Sequence, residues 1–237
     1  MEENLIIWEL ATEKSSPELL EKFAGHLDAE VRKAVAMNPS APGPVLERLA
    51  GDEEVRVRQT VAWNESAPRE VLERLAQDQE EWVRLGVAWN RNVPAFILER
   101  LAEDPDPKVR EAVARNEKTP AAVLKRLAED EEPEIREKVA MNPGTPAEVL
   151  TRLAQDGNRW IRQGVAQNPS TPLPILEQLA GDPDPEVHWG LVWNPSTPTT
   201  ILAGMRQDLD WGVRKAAAQK LAEQQRASLK NQGREGV

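Results

Sequence analysis

The sequence predicts an all-α helical-repeat solenoid with no β-sheet, and three observations carry that expectation. An aliphatic residue followed by a basic one returns every 26 residues, at Val31-Arg32, Val57-Arg58, Val83-Arg84, Val109-Arg110, Ile135-Arg136, Ile161-Arg162, Val187-His188 and Val213-Arg214. Other columns keep the same step: Asn at 38, 64, 90, 116, 142, 168 and 194; Pro at 42, 68, 94, 120, 146, 172 and 198; Leu at 46 through 202; Asp at 52 through 208. Within each period the apolar residues recur at helical spacing and never alternate, which argues for helices and against strands.

The elements follow in chain order. Residues 1–30 read as an N-terminal capping repeat, because "LIIWELATEKSSPELLEKFAGH" keeps Leu20, Phe23 and Ala24 but lacks the Asn and moves its Pro to position 17. Residues 31–221 form the regular array, and 104–130 serves as its type repeat. There Asp104 is expected as a helix N-cap with Pro105 at the first helical position, where a missing N–H costs nothing. Val109 and Val113 give the first helix its apolar stripe, and Asn116 is expected to end it in the left-handed conformation. Thr119-Pro120 reads as a second cap and helix start, Val123, Leu124, Leu127 and Ala128 as the second stripe, and Asp130 as the next cap. Residues 222–237 turn polar and are expected to fray. One such hairpin cannot hide its own stripe, so neighbouring hairpins must stack to close a core.

The consensus "DPDPEVRxxVAxNPxTPxxxLxxLA", followed from about Leu5 to Ala222, resembles the leucine-rich repeat variant family. The resemblance implies a right-handed superhelix of alternating α and 3₁₀ helices without sheet, and an α/α superhelix is the alternative within the same fold class. Some members of that family carry an iron–sulfur module on an N-terminal Cys cluster. This chain has no Cys, so that function is not carried over. The family has no common activity to import.

Composition narrows the function classes. The chain has 237 residues and a formal charge of −10, which repels phosphate backbones and argues against a nucleic-acid partner. Without Cys there is no disulfide framework, thiolate metal site or Cys nucleophile, which fits a reducing cytoplasm. The apolar run in "MEENLIIWEL" is too short for a signal peptide, and no run reaches membrane-spanning length. A cytoplasmic location with no membrane partner is therefore expected. Aromatic use is lopsided, with eight Trp, two Phe and no Tyr.

The constant columns read as structure. An Arg column could bind phosphate, but each Arg follows a core aliphatic residue and an Asp column starts the same helix, so an Asp–Arg ladder tying repeats together is expected. His188 replaces Arg at one rung, and the other histidine, His26, lies in a distant repeat, so neither is read as a metal ligand. The Asn column could recognise a ligand; its place between helix end and Pro points to bonding of loop backbone groups. The Asp column reads as capping. Asp52-Glu53-Glu54 and the acidic run 129–132 lack the alternating spacing of a calcium loop.

The variable columns are more informative. At about 100° per residue, Val57, Val61 and Asn64 mark the core side of their helix, and Arg56, Gln59 and Trp63 fall on the far side. The same three offsets collect Trp82, Leu85 and Trp89, then Trp160, then Trp189 and Trp193, so six of the eight Trp lie on one outward ribbon. They fall into two groups, Trp63/Trp82/Leu85/Trp89 and Trp160/Trp189/Trp193, close enough on neighbouring helices to meet. Trp8 and Trp211 lie near the chain ends and are expected to plug the caps. Exposed indoles in this number usually mark a contact surface. Packing between repeats, or a Trp-lined groove for a small apolar or sugar ligand, would also place rings there.

No glycine-rich phosphate loop, GxSxG elbow or metal signature occurs, and the carboxylates repeat alike in every unit, so neither catalysis nor a cofactor is expected. The strong breaks in the repeat are hydrophobic: the Trp groups, Phe96 and "HWG" at 188–190. The sequence therefore predicts a non-catalytic scaffold that grips a protein or peptide, itself included, through Trp63, Trp82, Leu85, Trp89, Trp160, Trp189 and Trp193, with Lys33, Arg56, Lys108 and Arg115 setting register. A nucleic-acid-binding solenoid and a self-associating structural protein are the alternatives.

Overall fold

The computed structural model describes Leu10, Thr12 and residues 15–232, and among these residues it holds sixteen α-helices, one 3₁₀ helix and no strand. Each period is a nine-residue helix followed by a shorter one. The chain divides into two compact units, Met1–Val123 and Leu124–Val237. The first contains α1 (Pro17–Phe23), the long helices α2 (Ala29–Met37), α4 (Val55–Trp63), α6 (Glu81–Trp89) and α8 (Pro107–Arg115), and the short helices α3 (Gly43–Leu49), α5 (Arg69–Leu75) and α7 (Ala95–Leu101). The division falls within α9 (Ala121–Leu127). The second holds α10 (Pro133–Met141), α11 (Ala147–Leu153), α12 (Arg159–Gln167), α13 (Leu173–Leu179), α14 (Pro185–Trp193), α15 (Thr199–Gly204) with its 3₁₀ turn Met205–Gln207, and α16 (Trp211–Gln232).

Both layers are α-helical, so α/α rather than α/3₁₀ is the packing observed. The 3₁₀ character survives at the ends of the short helices, where i→i+3 bonds tighten the turn: Val45 N–H to Pro42 O at 2.9 Å, and Gly51 N–H to Arg48 O and Asp52 N–H to Leu49 O at 3.1 Å. The stripes close as the periodicity requires. Val57, Val61, Val71, Leu72 and Leu75 are at most 3% exposed, and each contributes roughly 1.5–3 kcal/mol of burial.

The punctuation differs from the sequence expectation in detail. The long helices start two residues later than the Asp column suggests. Asp28, Asp106, Asn158 and Asp184 are the N-caps that accept a backbone N–H, with Asp106 taking Lys108 N at 2.8 Å. Asp104 is thereby freed for a different task. The Asn that ends each long helix is extended, with Asn64 at φ −67° and ψ 119°, and among the described residues no φ is positive. Pro, not Thr, occupies the N-cap of the short helices. Thr119, Thr145, Thr171 and Thr197 are buried, and their hydroxyls donate back to Val113, Val139, Val165 and Leu191, closing the preceding long helix.

Two ladders join repeat to repeat. Asn64 Nδ2 donates to Ala36 O at 2.7 Å and Asn38 O at 2.8 Å in the repeat before, while its Oδ1 accepts Ser66 N–H at 2.8 Å. Asn90 repeats this on Ala62 O, Asn64 O and Asn92 N, and in the second unit Asn168 and Asn194 do likewise. One buried side chain thus satisfies three backbone groups. Arg58 meets Asp78 of the next repeat through Nε–Oδ2 at 2.7 Å and Nη2–Oδ1 at 3.1 Å, and its Nη1 donates to Asp52 O at 2.8 Å. Arg32–Asp52, Arg84–Asp104 and Arg162–Asp182 are built alike. His188 keeps the rung to Asp208 at 2.5 Å, in ion-pair range but without hydrogen-bond alignment.

The stretch expected to fray stays helical to Gln232, since Gln, Ala, Arg and Lys are good helix formers even where no apolar stripe continues. Trp8 and residues 233–237 lie outside the described residues.

Candidate functional site

In each unit the long helices carry an outward flank whose side chains are exposed or half-buried. In the first unit it carries Glu30, Lys33 and Met37 on α2, Arg56, Gln59 and Trp63 on α4, Trp82, Leu85 and Trp89 on α6, and Lys108, Glu111 and Arg115 on α8. The indoles are half in solvent: Trp63 is 54% exposed, Trp82 44% and Trp89 46%. Leu85 is partly covered. In the second unit Trp160 is 43% exposed and Trp193 60%, whereas Trp189 is partly covered.

The rings do not meet one another. Among the described residues no two indoles stand in ring contact. Five of the six ribbon indoles lie against a cation or a glycine instead. Lys108 Nζ lies 5.0 Å from the centre of Trp82, and the Arg115 guanidinium 5.6 Å from Trp89, each one repeat further on in the same column. Such contacts stabilise by about 0.5–1 kcal/mol at exposed sites and hold a ring in place without hiding it. Trp63 lies over Gly86, where a Cβ would come within 2.8 Å of its Cδ1. Trp189 lies over Gly212 in the same way, with a Cβ 2.8 Å from its Cζ2. In the second unit Arg159 covers its neighbour Trp160 at 4.7 Å.

Trp211 does not plug the C-terminal cap. It is 66% exposed under Lys215, because it opens α16 two residues before core Val213 and so points to the opposite side. Trp189 takes the inner place beside Gly212. Phe96, on α7, lies away from the ribbon beneath Arg69 at 4.6 Å.

Apart from Glu18, held down by hydrogen bonds at the start of α1, the charged groups with displaced titration among the described residues belong to the ladder. Hydrogen bonding to the partner Asp raises Arg32, Arg58, Arg84 and Arg162. Burial alone would raise Asp52, Asp78 and Asp182, but the hydrogen bond and charge of the paired Arg and a backbone N–H outweigh it and hold all three below the usual aspartate range. These groups stabilise the stack and are saturated by their partners, so they offer no free acid or base.

Beside Trp89 the flank opens into a pocket of about 510 Å³ lined by Trp89, Arg91, Arg115, Asn116, Glu117 and Lys118. Sequence reasoning missed the loop residues of this pocket. A signal was present: the residue after each ladder Asn is Pro39, Pro143, Pro169 and Pro195 in four repeats but Glu65, Arg91 and Glu117 in three consecutive ones.

A family profile described as leucine rich repeat variant matches residues 29–54, 55–80 and 159–184, and one described as leucine rich repeat variant domain matches 111–167. Among solved structures the chain is similar to "a leucine-rich repeat variant with a novel repetitive protein structural motif", at 30% identity over 86% of this chain and 82% of that one, with a TM-score of 0.61. It is also similar to YibA of Escherichia coli, at 15% identity over 94% of this chain and 97% of that one, with a TM-score of 0.50, a likeness of fold alone. No curated protein matches the chain.

Proposed function

The chain belongs to the leucine-rich repeat variant family, and from that premise we propose that it is a non-catalytic scaffold that holds a protein or peptide segment on the indole flank of its long helices. One observation carries the reading. Five indoles of the ribbon stand 43–60% exposed in columns that the fold fills elsewhere with Lys108, Arg115 or Gln167. The scaffold does not require them, and large half-exposed aromatics are the usual anchors of protein contacts. The carboxylates support the same reading: Asp52, Asp78 and Asp182, whose titration is displaced, are spent in the ladder, and none of them lies on the indole flank, where binding rather than proton transfer is the chemistry proposed.

Panning a random peptide display library against wild type and against the Trp89→Ala/Trp193→Ala double variant tests the reading. Wild type is expected to enrich a sequence class that the double variant loses while keeping its helical circular dichroism. Identical enrichment by both proteins, or none by either, would contradict it.

A further inference from the structure

We propose that the pocket beside Trp89 takes an acidic, amphipathic peptide segment, whose carboxylates meet Arg91, Arg115 and Lys118 and whose apolar residue lies on the Trp89 indole. The inference rests on the scaffold reading and names the chemistry of the partner at one place. The pocket wall sets three cations against one carboxylate, Glu117, on a chain whose net charge is −10. A local positive site on an acidic protein is what steers and registers an acidic segment.

The three cations are not consumed by the fold. The Arg–Asp ladder uses none of them. Among the described residues Arg91 pairs with Glu65 alone, at 3.9 Å, with its side chain 87% exposed. Arg115 holds Glu111 of its own helix at 3.0 Å and remains 44% exposed. Lys118 stands where Ser66 and Asn92 send their side chains back to the loop before, Ser66 Oγ to Pro39 O at 2.6 Å and Asn92 Nδ2 to Glu65 O at 2.8 Å. A residue of that bonding column has thus been exchanged for an exposed ammonium. Asn116 contributes a fixed wall only, because its amide is spent on Ala88 O, Asn90 O and Lys118 N.

Nor does the fold explain the loss of Pro here. Ala67, Val93 and Thr119 close their loops onto Asn64, Asn90 and Asn116 at 3.0, 3.2 and 3.0 Å, just as Thr145 and Thr171 close onto Asn142 and Asn168 in the loops that keep Pro. The pocket has the usual size of a ligand site, and its mixed wall suits a peptide.

The full chain is tested by fluorescence anisotropy with a labelled amphipathic peptide of Glu, Leu and Phe, its Gln-for-Glu counterpart and its Lys-for-Glu counterpart. The acidic peptide is expected to bind wild type, more weakly as salt rises, and about tenfold more weakly to the Arg91→Glu/Lys118→Glu variant. Both substituted side chains are exposed, so the helical spectrum should not change. Equal binding by the charge-reversed variant, equal or tighter binding of the Gln or Lys peptide, or no binding of the acidic peptide would overturn the proposal. Gln-peptide binding that Trp89→Ala abolishes and charge reversal does not would remove the acidic preference and leave the scaffold reading standing.

Discussion

Trp89 and Asn90 are neighbours in the chain and opposites in role. Asn90 is 2% exposed, donates to Ala62 O and Asn64 O and accepts from Asn92 N. Its loss would strand three backbone groups, at about 1–3 kcal/mol for each buried one. Trp89 is 46% exposed and touches its next-repeat neighbour Arg115 through a single cation–π contact. Its truncation should cost about 1–2 kcal/mol, the cation–π contact plus the burial of part of the ring. Both roles follow from residue chemistry. Asn carries a donor and an acceptor on a short stem and can serve three loop groups at once, so its column cannot vary. The indole column has no partner to satisfy, so Met, Arg and Gln share it.

At the scale of the element, the long helices approach most closely where the second position past the aliphatic–basic pair carries Gly, as at Gly86, Gly164 and Gly190. A Cβ on Gly190 would lie 2.6 Å from Gln163 O and 2.8 Å from Ala166 Cβ, both on the neighbouring helix α12. Backbone cannot rotate away as a side chain can. Gly190→Ala should therefore destabilise by about 1–3 kcal/mol, although Ala is the better helix former. Urea denaturation checks this, and the ordinary helical gain from Gly to Ala would contradict the packing. The elements were legible in the sequence as two helices per period, because apolar spacing and Pro set them. Their exact ends were not. Asp104, Thr119 and Asn116 are good cap residues by type, and only the structure shows that Asp104 answers Arg84 of the previous repeat, that Thr119 closes the helix behind it and that Asn116 is extended. Long-range partners override local cap preference, and a 26-residue period does not say which repeat a side chain bonds.

At the scale of the molecule, each unit is stitched by repeated rungs, and the rungs set its response to acid. Asp52 and Asp78 in the first unit and Asp182 in the second are held below the ordinary carboxylate range. The folded chain therefore binds fewer protons than the unfolded one as pH falls, and the rungs' contribution is complete above the unfolded value and lost through the depressed ones. Thermal stability should be flat above about pH 5 and fall progressively below about pH 4. A melting temperature that rose on acidification would contradict the sign. The repeat, its ladders and the outward ribbon could all be read from the sequence, since each is a column property. The cationic pocket could not be read from columns alone, because it assembles from loop residues 91, 116, 117 and 118 of two repeats. If the indole flank is a binding surface, the chain divides into columns that build and columns that bind, and equilibrium urea denaturation of Trp89→Ala beside Asn90→Ala tests that division most directly. The expected loss is about 3 kcal/mol or more for Asn90→Ala and about 1–2 kcal/mol for Trp89→Ala. Equal losses would place the indole in the core and end the case for a binding flank.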